Sequence, residues 1–311
     1  MSNKTITIGV DIGGAHVFSA AFDTIEQKII TDSRSYTKIN SKGSVAEIMQ
    51  EWGDALRKTI SKIDVRRLKG IAFAIPGPFD YKKGIAKFEK NDKYERLKNV
   101  DIGNEIAKMN GIPKVPIRFI NDATAFAIGV SSYGEGKPYK KVVALTLGTG
   151  IGSAFIENGT PVFSGPNVPC LGCLWHLRYR DGMVDDYFST RWLVNEFKNK
   201  TSRTVKGVHE IANLVNEVPE AKIVFDEFGL YLGEFLAPWL KQFSADVLIL
   251  GGGITKSFKL FSPILKNTLI ESGVQVDLKV SGQMEDATIM ASAKLFEESF
   301  WDRIKGDLPD N

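Results

Sequence analysis

The sequence predicts an α/β protein made of two related halves. One supersecondary unit occurs twice: an apolar strand, a glycine-rich turn and a second apolar strand, first over residues 5–22 and again over 142–156. Apolar residues at helical spacing fill most of the remaining chain. At roughly 150 residues per domain, the 311 residues agree with two domains.

The opening Thr5-Ile6-Thr7-Ile8-Gly9-Val10 is β-branched and alternating, so it reads as a strand, and it runs into Asp11-Ile12-Gly13-Gly14. Residues 15–22 are apolar again, predicting a hairpin that turns at Gly13-Gly14. Residues 28–36 supply a third strand. Val45, Ile48, Met49, Trp52, Leu56 and Ile60 recur at spacings of three and four and predict a helix; Ser44 with Glu47 forms a capping box at its start. Residues 70–75 are the next strand, stopped by Pro76-Gly77-Pro78, and 116–120 another. Asn121-Asp122 stands where a helix over 123–130 begins. Residues 142–147 then lead into Gly148-Thr149-Gly150-Ile151-Gly152. Helices dominate from about 185 to 243, and the apolar run 247–250 precedes Gly251-Gly252-Gly253. A strand over 276–280 and a helix from 286 to about 304 close the chain. The boundary is expected at Asn121-Asp122, giving a small domain of residues 1–121 joined by the C-terminal helix (about 298–311), and a larger one of 122–297.

Composition removes several classes. Apolar residues make up 43% and charged residues 25% of the chain, as in an average globular protein and unlike disordered, collagenous or disulfide-stapled chains. The 40 Lys+Arg and 37 Asp+Glu leave a net charge of +3, spread along the chain, so no nucleic-acid partner is expected. No apolar run reaches the 18 or so residues of a membrane span; the stretch 223–240 is interrupted by Asp226, Glu227 and Glu234. The N-terminus lacks the apolar core and cleavage site of a signal peptide, and Cys170 and Cys173 are too few for a secreted disulfide framework. These features predict a cytoplasmic protein without membrane association.

A glycine turn lets backbone N–H groups approach an anion with no β-carbon in the way. One such turn is explained equally well by the positive φ of a hairpin. Three of them, each directly after an apolar strand (11–14, 148–152 and 251–253), together suggest a nucleotide held by two phosphate loops and a third glycine loop. The chain contains no Gly-x-x-x-x-Gly-Lys-[Ser/Thr], which removes a P-loop. The 148–152 turn enters a strand rather than a helix and lacks Gly-x-Gly-x-x-Gly spacing, which argues against a dinucleotide site.

Taken in order, Asp-Ile-Gly-Gly (11–14), Pro-Gly-Pro (76–78), Asn-Asp-Ala (121–123), Leu-Gly-Thr-Gly-Ile-Gly (147–152) and Leu-Gly-Gly-Gly (250–253) resemble the motifs of the ROK family of sugar kinases and repressors, over essentially the whole chain. That family is part of the actin, hexokinase and Hsp70 group of ATPases. The resemblance implies a two-domain actin-like ATPase (ribonuclease H-like) fold with a cleft between the domains. It also implies ATP and Mg²⁺ as cofactors, a small-molecule sugar as substrate, and a homodimer. ROK repressors carry a helix-turn-helix before the first strand; the four residues ahead of Thr5 leave no room for one, which points to the kinase branch.

By the same resemblance, Asp122 is the general base for the attacking sugar hydroxyl. On residue type alone, Asn-Asp before a helix is equally an N-cap. Asp11 looks like the family's metal-site acid, holding Mg²⁺ directly or through water, with a capped hairpin turn as the competing explanation. Gly13, Gly14, Gly148, Thr149 and Gly150 would approach the phosphates, and Gly252 and Gly253 the adenosine. The backbone of Pro76 and Gly77 would border the sugar, with Asn121 at the same place. Asn91 and Lys93-Tyr94 occupy the region where related kinases place a sugar-contacting asparagine.

The sequence departs from the family on the sugar side. Gly172-Cys173-Leu174-Trp175-His176 matches the family's Gly-Glu-x-Gly-His, with Cys173 in place of the sugar-binding glutamate and His176 kept. The cysteine-rich zinc segment is missing after Asp181-Gly182, and Asp185 stands where the second sugar-binding glutamate falls. No zinc site is expected: Cys170, Cys173 and His176 are closely spaced, but a structural zinc takes four ligands. Trp175 is either a sugar-stacking platform or a buried aromatic. Exchanging carboxylate for thiol removes a strong acceptor. Two readings follow: an ATP-dependent kinase of a hexose or N-acetylhexosamine (glucokinase-like), or a non-catalytic sugar-binding or regulatory protein on the same scaffold. A third, an actin-like or chaperone-like ATPase, shares the phosphate loops but needs neither Asn121-Asp122 nor His176.

Overall fold

The structure is a computed structural model and describes residues 4–89 and 93–310. In chain order it begins with β1 (Ile6–Ile12), β2 (His16–Asp23), β3 (Lys28–Ile29), β4 (Ser35–Lys38), α1 (Val45–Ile60), β5 (Leu68–Ile75), β6 (Phe79–Asp80), β7 (Ile85–Ala86), α2 (Ile102–Ala107), β8 (Ile117–Asn121) and α3 (Asp122–Tyr133). There follow β9 (Lys141–Leu147), β10 (Ile151–Glu157), β11 (Thr160–Pro161), β12 (Arg178–Tyr179), β13 (Gly182–Met183), α4 (Val184–Tyr187), α5 (Thr190–Thr201), α6 (Val208–Asn213) and α7 (Pro219–Phe243). Then come β14 (Val247–Gly251), α8 (Phe258–Glu271), β15 (Asp277–Val280), α9 (Met284–Leu295) and α10 (Glu298–Ile304). The chain divides into two compact units, residues 1–133 with 285–311, and residues 134–284.

In the first unit the sheet order is β3-β2-β1-β5-β8, with β4 also paired to β2. β1 is antiparallel to β2 and parallel to β5, which is parallel to β8. Both faces of this sheet are covered, so its central strands read as continuous apolar runs rather than alternating ones. Alternate residues of β2 serve the two faces: Phe18, Ala20 and Phe22 pack on Ile289 and Ala293 of α9, while Ser19 bonds the Thr59 hydroxyl of α1 at 2.6 Å. The capping box of α1 forms as the sequence predicts, with Glu47 N donating to Ser44 Oγ at 3.3 Å and Ser44 N to Glu47 Oε2 at 2.7 Å.

Three sequence expectations need correction here. The single strand over 28–36 is split by a 3₁₀ turn at Thr31–Ser33. There the Ser33 hydroxyl takes the N–H of Ala21 at 2.8 Å, standing in for a backbone partner. The closing helix breaks after Leu295, whose carbonyl accepts from the Arg118 guanidinium; that guanidinium lies 4.9 Å from the Phe296 ring centre and 4.4 Å from that of Trp301. The division between units falls after α3 instead of before it, and the first unit takes all but the first residue of α9. The reason is close packing: a β-carbon at Gly129 of α3 would collide with the Ala287 carbonyl of α9.

In the second unit the order is β11-β10-β9-β14-β15. β9 is antiparallel to β10 and parallel to β14, which is parallel to β15. This is the connectivity of β2-β1-β5-β8 over again, so the recurrence in the sequence is a recurrence of topology. The core of this unit gathers Leu145, Phe188, Phe225, Phe228 and Leu248, all buried. Among the described residues no helix is long and apolar enough to cross a membrane.

Candidate functional site

Parallel strands bring their carboxyl ends out at one edge, where open α/β sheets hold their ligands. In the first unit the register pairs Asp11 with Ala74 and Ile75 with Asn121. That edge therefore carries Asp11, the Gly13-Gly14 turn, Pro76-Gly77 and Asn121-Asp122 together. Asn91 lies outside the described residues.

Asn121 and Asp122 share the start of α3. Asn121 Oδ1 accepts from the N–H of Ala123 at 3.0 Å and of Thr124 at 3.2 Å, the bonds of an N-cap. Asn121 Nδ2 donates to Asp122 Oδ1 at 3.0 Å and to the Tyr81 hydroxyl at 3.3 Å, and Tyr81 in turn donates to the Ile75 carbonyl at 2.9 Å. Asp122 Oδ1 also accepts from Ala123 N at 2.9 Å. Among the described residues, Asp122 Oδ2 accepts no hydrogen bond.

Asp11 and Asp122 each keep a part of their surface open to solvent, yet protein atoms surround most of each side chain. Burial raises the Asp122 carboxyl above its usual range, opposed by bonds from Ala123 and Asn121 and by the Lys93 charge. Asp11 is pushed up to about 8, first by burial and then by the negative charges of Asp122 and Glu285. Acids that resist ionisation beside one another form a site that a divalent cation would stabilise. Among the described residues no group of three or more His, Cys, Asp or Glu is arranged to hold a metal ion. A cation that keeps most of its waters takes one or two carboxylates, and the two carboxyl groups coupled at this edge are Asp11 and Asp122.

Around the first glycine turn, Gly13 N donates to His16 O at 2.9 Å and closes the hairpin. The buried Tyr94 donates its hydroxyl hydrogen to the Gly13 carbonyl at 2.5 Å.

In the second unit, Gly251 pairs with Thr146 across parallel strands, so residues 148–150 and 252–253 share one sheet edge. Gly148 N donates to Gly150 O at 3.0 Å. Asp185 Oδ1 accepts from Ile151 N at 2.8 Å, and a β-carbon at Gly150 would collide with that carboxylate oxygen. The structure therefore places Asp185 against the glycine loop. A β-carbon at Gly252, where φ is +94°, would run into Leu147, which ends β9.

The 173–176 segment is anchored where Leu174 N donates to Ser153 Oγ at 2.8 Å. Cys173 Sγ lies 3.6 Å from His176 Nδ1. Burial pushes the Cys173 thiol up to about 12 and holds the His176 imidazole below its ordinary value, so the pair is a neutral thiol and a neutral imidazole rather than an activated nucleophile. Trp175 is 41% exposed, with its ring edge-on to His176 at 5.5 Å, which removes the buried-aromatic reading. The sequence offered no sign of Tyr81 or Glu285, whose places depend on chain folding rather than on spacing.

Two sheets of the same hairpin-then-parallel topology, each with a glycine turn where its first hairpin meets the carboxyl edge of the parallel strands, define the actin-like ATPase (ribonuclease H-like) fold. The sequence model of the ROK family matches residues 7–298, and the chain belongs to that family. The glucokinase of Thermotoga maritima is 28% identical over 95% of this chain and 98% of its own length. The xylose repressor of Bacillus spizizenii is 24% identical over 96% of this chain and 79% of its own. A ROK family glucokinase from Streptomyces griseus, solved with glucose and AMPPNP, has a similar fold with a TM-score of 0.73 at 22% identity, covering 93% of this chain and 98% of that one.

Proposed function

We propose that this chain is an ATP-dependent sugar kinase that phosphorylates a hydroxyl of a hexose or N-acetylhexosamine. The observation that carries the reading is the carboxylate of Asp122. Its Oδ1 is tied to Ala123 and Asn121, Asn121 does the helix capping, and Oδ2 is left to meet a substrate. A base so placed takes the proton of the sugar hydroxyl as that oxygen attacks phosphorus, an effect of typically about 10²–10⁴-fold.

In this reading Asp11 would hold Mg²⁺, which when bound neutralises phosphate charge. The backbone N–H groups of Gly13, Gly14, Gly148, Thr149 and Gly150 bind phosphate oxygens, and Gly252 and Gly253 border the adenosine. The backbone of Pro76 and Gly77, with Asn121, borders the sugar. His176, neutral, offers a donor and an acceptor to sugar hydroxyls. Cys173 offers a weak S–H donor where the family resemblance implies a carboxylate. Asp185 holds the phosphate loop through Ile151 N instead of binding sugar. The protein works as a cytoplasmic homodimer with no nucleic-acid partner, a reading supported by the family resemblance and the small net charge of +3.

The test is ADP release from Mg-ATP across a panel of hexoses and N-acetylhexosamines. Sugar-dependent release, with one sugar phosphate formed per ADP, supports the kinase. Sugar binding without turnover supports the non-catalytic alternative, and release indifferent to sugar supports a plain ATPase.

A further inference from the structure

Lys93 is held over the first glycine turn by its neighbour. Tyr94 adopts a left-handed backbone with φ 57°, donates its N–H to the Ser41 carbonyl at 2.9 Å and its hydroxyl hydrogen to Gly13 O. With Tyr94 fixed in this way, the Lys93 side chain crosses Gly14: a β-carbon there would stand 2.7 Å from both Cε and Nζ. The absence of a side chain at Gly14 is what lets the ammonium come so close to the turn. The same positive charge acts on Asp122. Among the described residues of this unit the lysines in ion pairs are Lys28, Lys83, Lys98, Lys108, Lys294 and Lys305. Lys93 forms none among the described residues.

A cation near both the phosphate-binding turn and the base lies where a transferring phosphoryl group passes, and charge on that group is what a phosphotransferase must stabilise. We infer that Lys93 is a further catalytic residue, its ammonium contacting the γ-phosphoryl oxygens of ATP during transfer. The inference rests on the kinase reading above. In the step, the sugar oxygen forms a bond to the γ-phosphorus while the bond from that phosphorus to the β,γ-bridging oxygen breaks. The hydroxyl proton goes to Asp122, the electron pair leaves with ADP, and Lys93 keeps its proton throughout.

The experiment compares Lys93→Met and Lys93→Arg with the unaltered protein by steady-state kinetics and by calorimetric binding of ADP and a non-hydrolysable ATP analogue. For Lys93→Met the expected result is a kcat about 100-fold lower with the sugar KM nearly unchanged, and ATP-analogue affinity about 10-fold weaker with ADP affinity unchanged. Lys93→Arg should recover a substantial part of both losses. A kcat within about threefold of the unaltered protein, equal weakening of ADP and analogue, or no advantage of Arg over Met overturns the inference. If the unaltered protein binds the analogue but phosphorylates no sugar, the kinase reading fails while the binding comparison still decides whether Lys93 meets the γ-phosphate. If it binds no analogue, both fall.

Discussion

Asn121 donates a hydrogen bond from Nδ2 to Oδ1 of Asp122 at 3.0 Å while its own Oδ1 caps α3. One residue thus does the structural work at the helix start and aims its neighbour. Of the pair, Asn121 is the principal cap, and among the described residues Asp122 accepts hydrogen bonds at Oδ1 alone.

Removing Asn121 should therefore show in stability and in catalysis. Asn121→Ala is expected to cost about 1 kcal/mol, a Tm lower by about 2–4 °C, and to lower kcat about 10-fold as Asp122 loses its orientation. Thermal melting and ADP release measure the two effects. An unchanged kcat would show that Asp122 needs no such support.

Asp11 gives a pH dependence. Its folded pKa of about 8 is raised from 3.8, so its contribution to stability is full below pH 4 and is lost as pH rises to about 8. In metal-free buffer, the unaltered protein should lose Tm relative to Asp11→Asn between about pH 5 and 8, the two being closest at the acid end. Parallel Tm curves over that range would contradict the raised pKa.

Asp185 is expected to act on nucleotide rather than on sugar. Asp185→Ala frees Ile151 N and loosens the 148–150 turn. The ATP KM should rise about 10-fold, as expected when a charged hydrogen bond is lost, with the sugar KM little changed. A rise in the sugar KM alone would make Asp185 a sugar ligand, the role that the family resemblance implied.

If Cys173 meets the sugar, its thiol makes a weaker partner than a carboxylate. Cys173→Glu supplies the acceptor that the family resemblance implies and should tighten sugar binding about 10-fold, the scale of one charge-assisted hydrogen bond. Calorimetry with the best substrate measures this. No gain in affinity would mean that residue 173 does not meet the sugar.

Much of this architecture was legible because its signals are local. Alternating β-branched residues before Gly13-Gly14 and before Gly148 gave both hairpins, and Ser44 with Glu47 gave the start of α1 to the residue. What stayed hidden comes from residues far apart in sequence. The break after Leu295 depends on Arg118, 177 positions away, and the split near Ser33 depends on an N–H from β2. The motifs singled out Asp11, Asp122 and the glycine turns, which the register puts at the carboxyl ends of parallel strands. Residue types alone could not show Asp185 bonded to Ile151, Tyr94 fastened to Gly13, or Glu285 raising the pKa of Asp11, because each requires the fold first.

The most direct test of the account is Asp122→Asn, which keeps the shape of the side chain and removes its basicity. The account predicts that sugar-dependent ADP release falls by about 10²–10⁴-fold while calorimetric sugar affinity and Tm stay close to those of the unaltered protein. Release persisting within about tenfold, with folding intact, would contradict the assignment of Asp122 as the base.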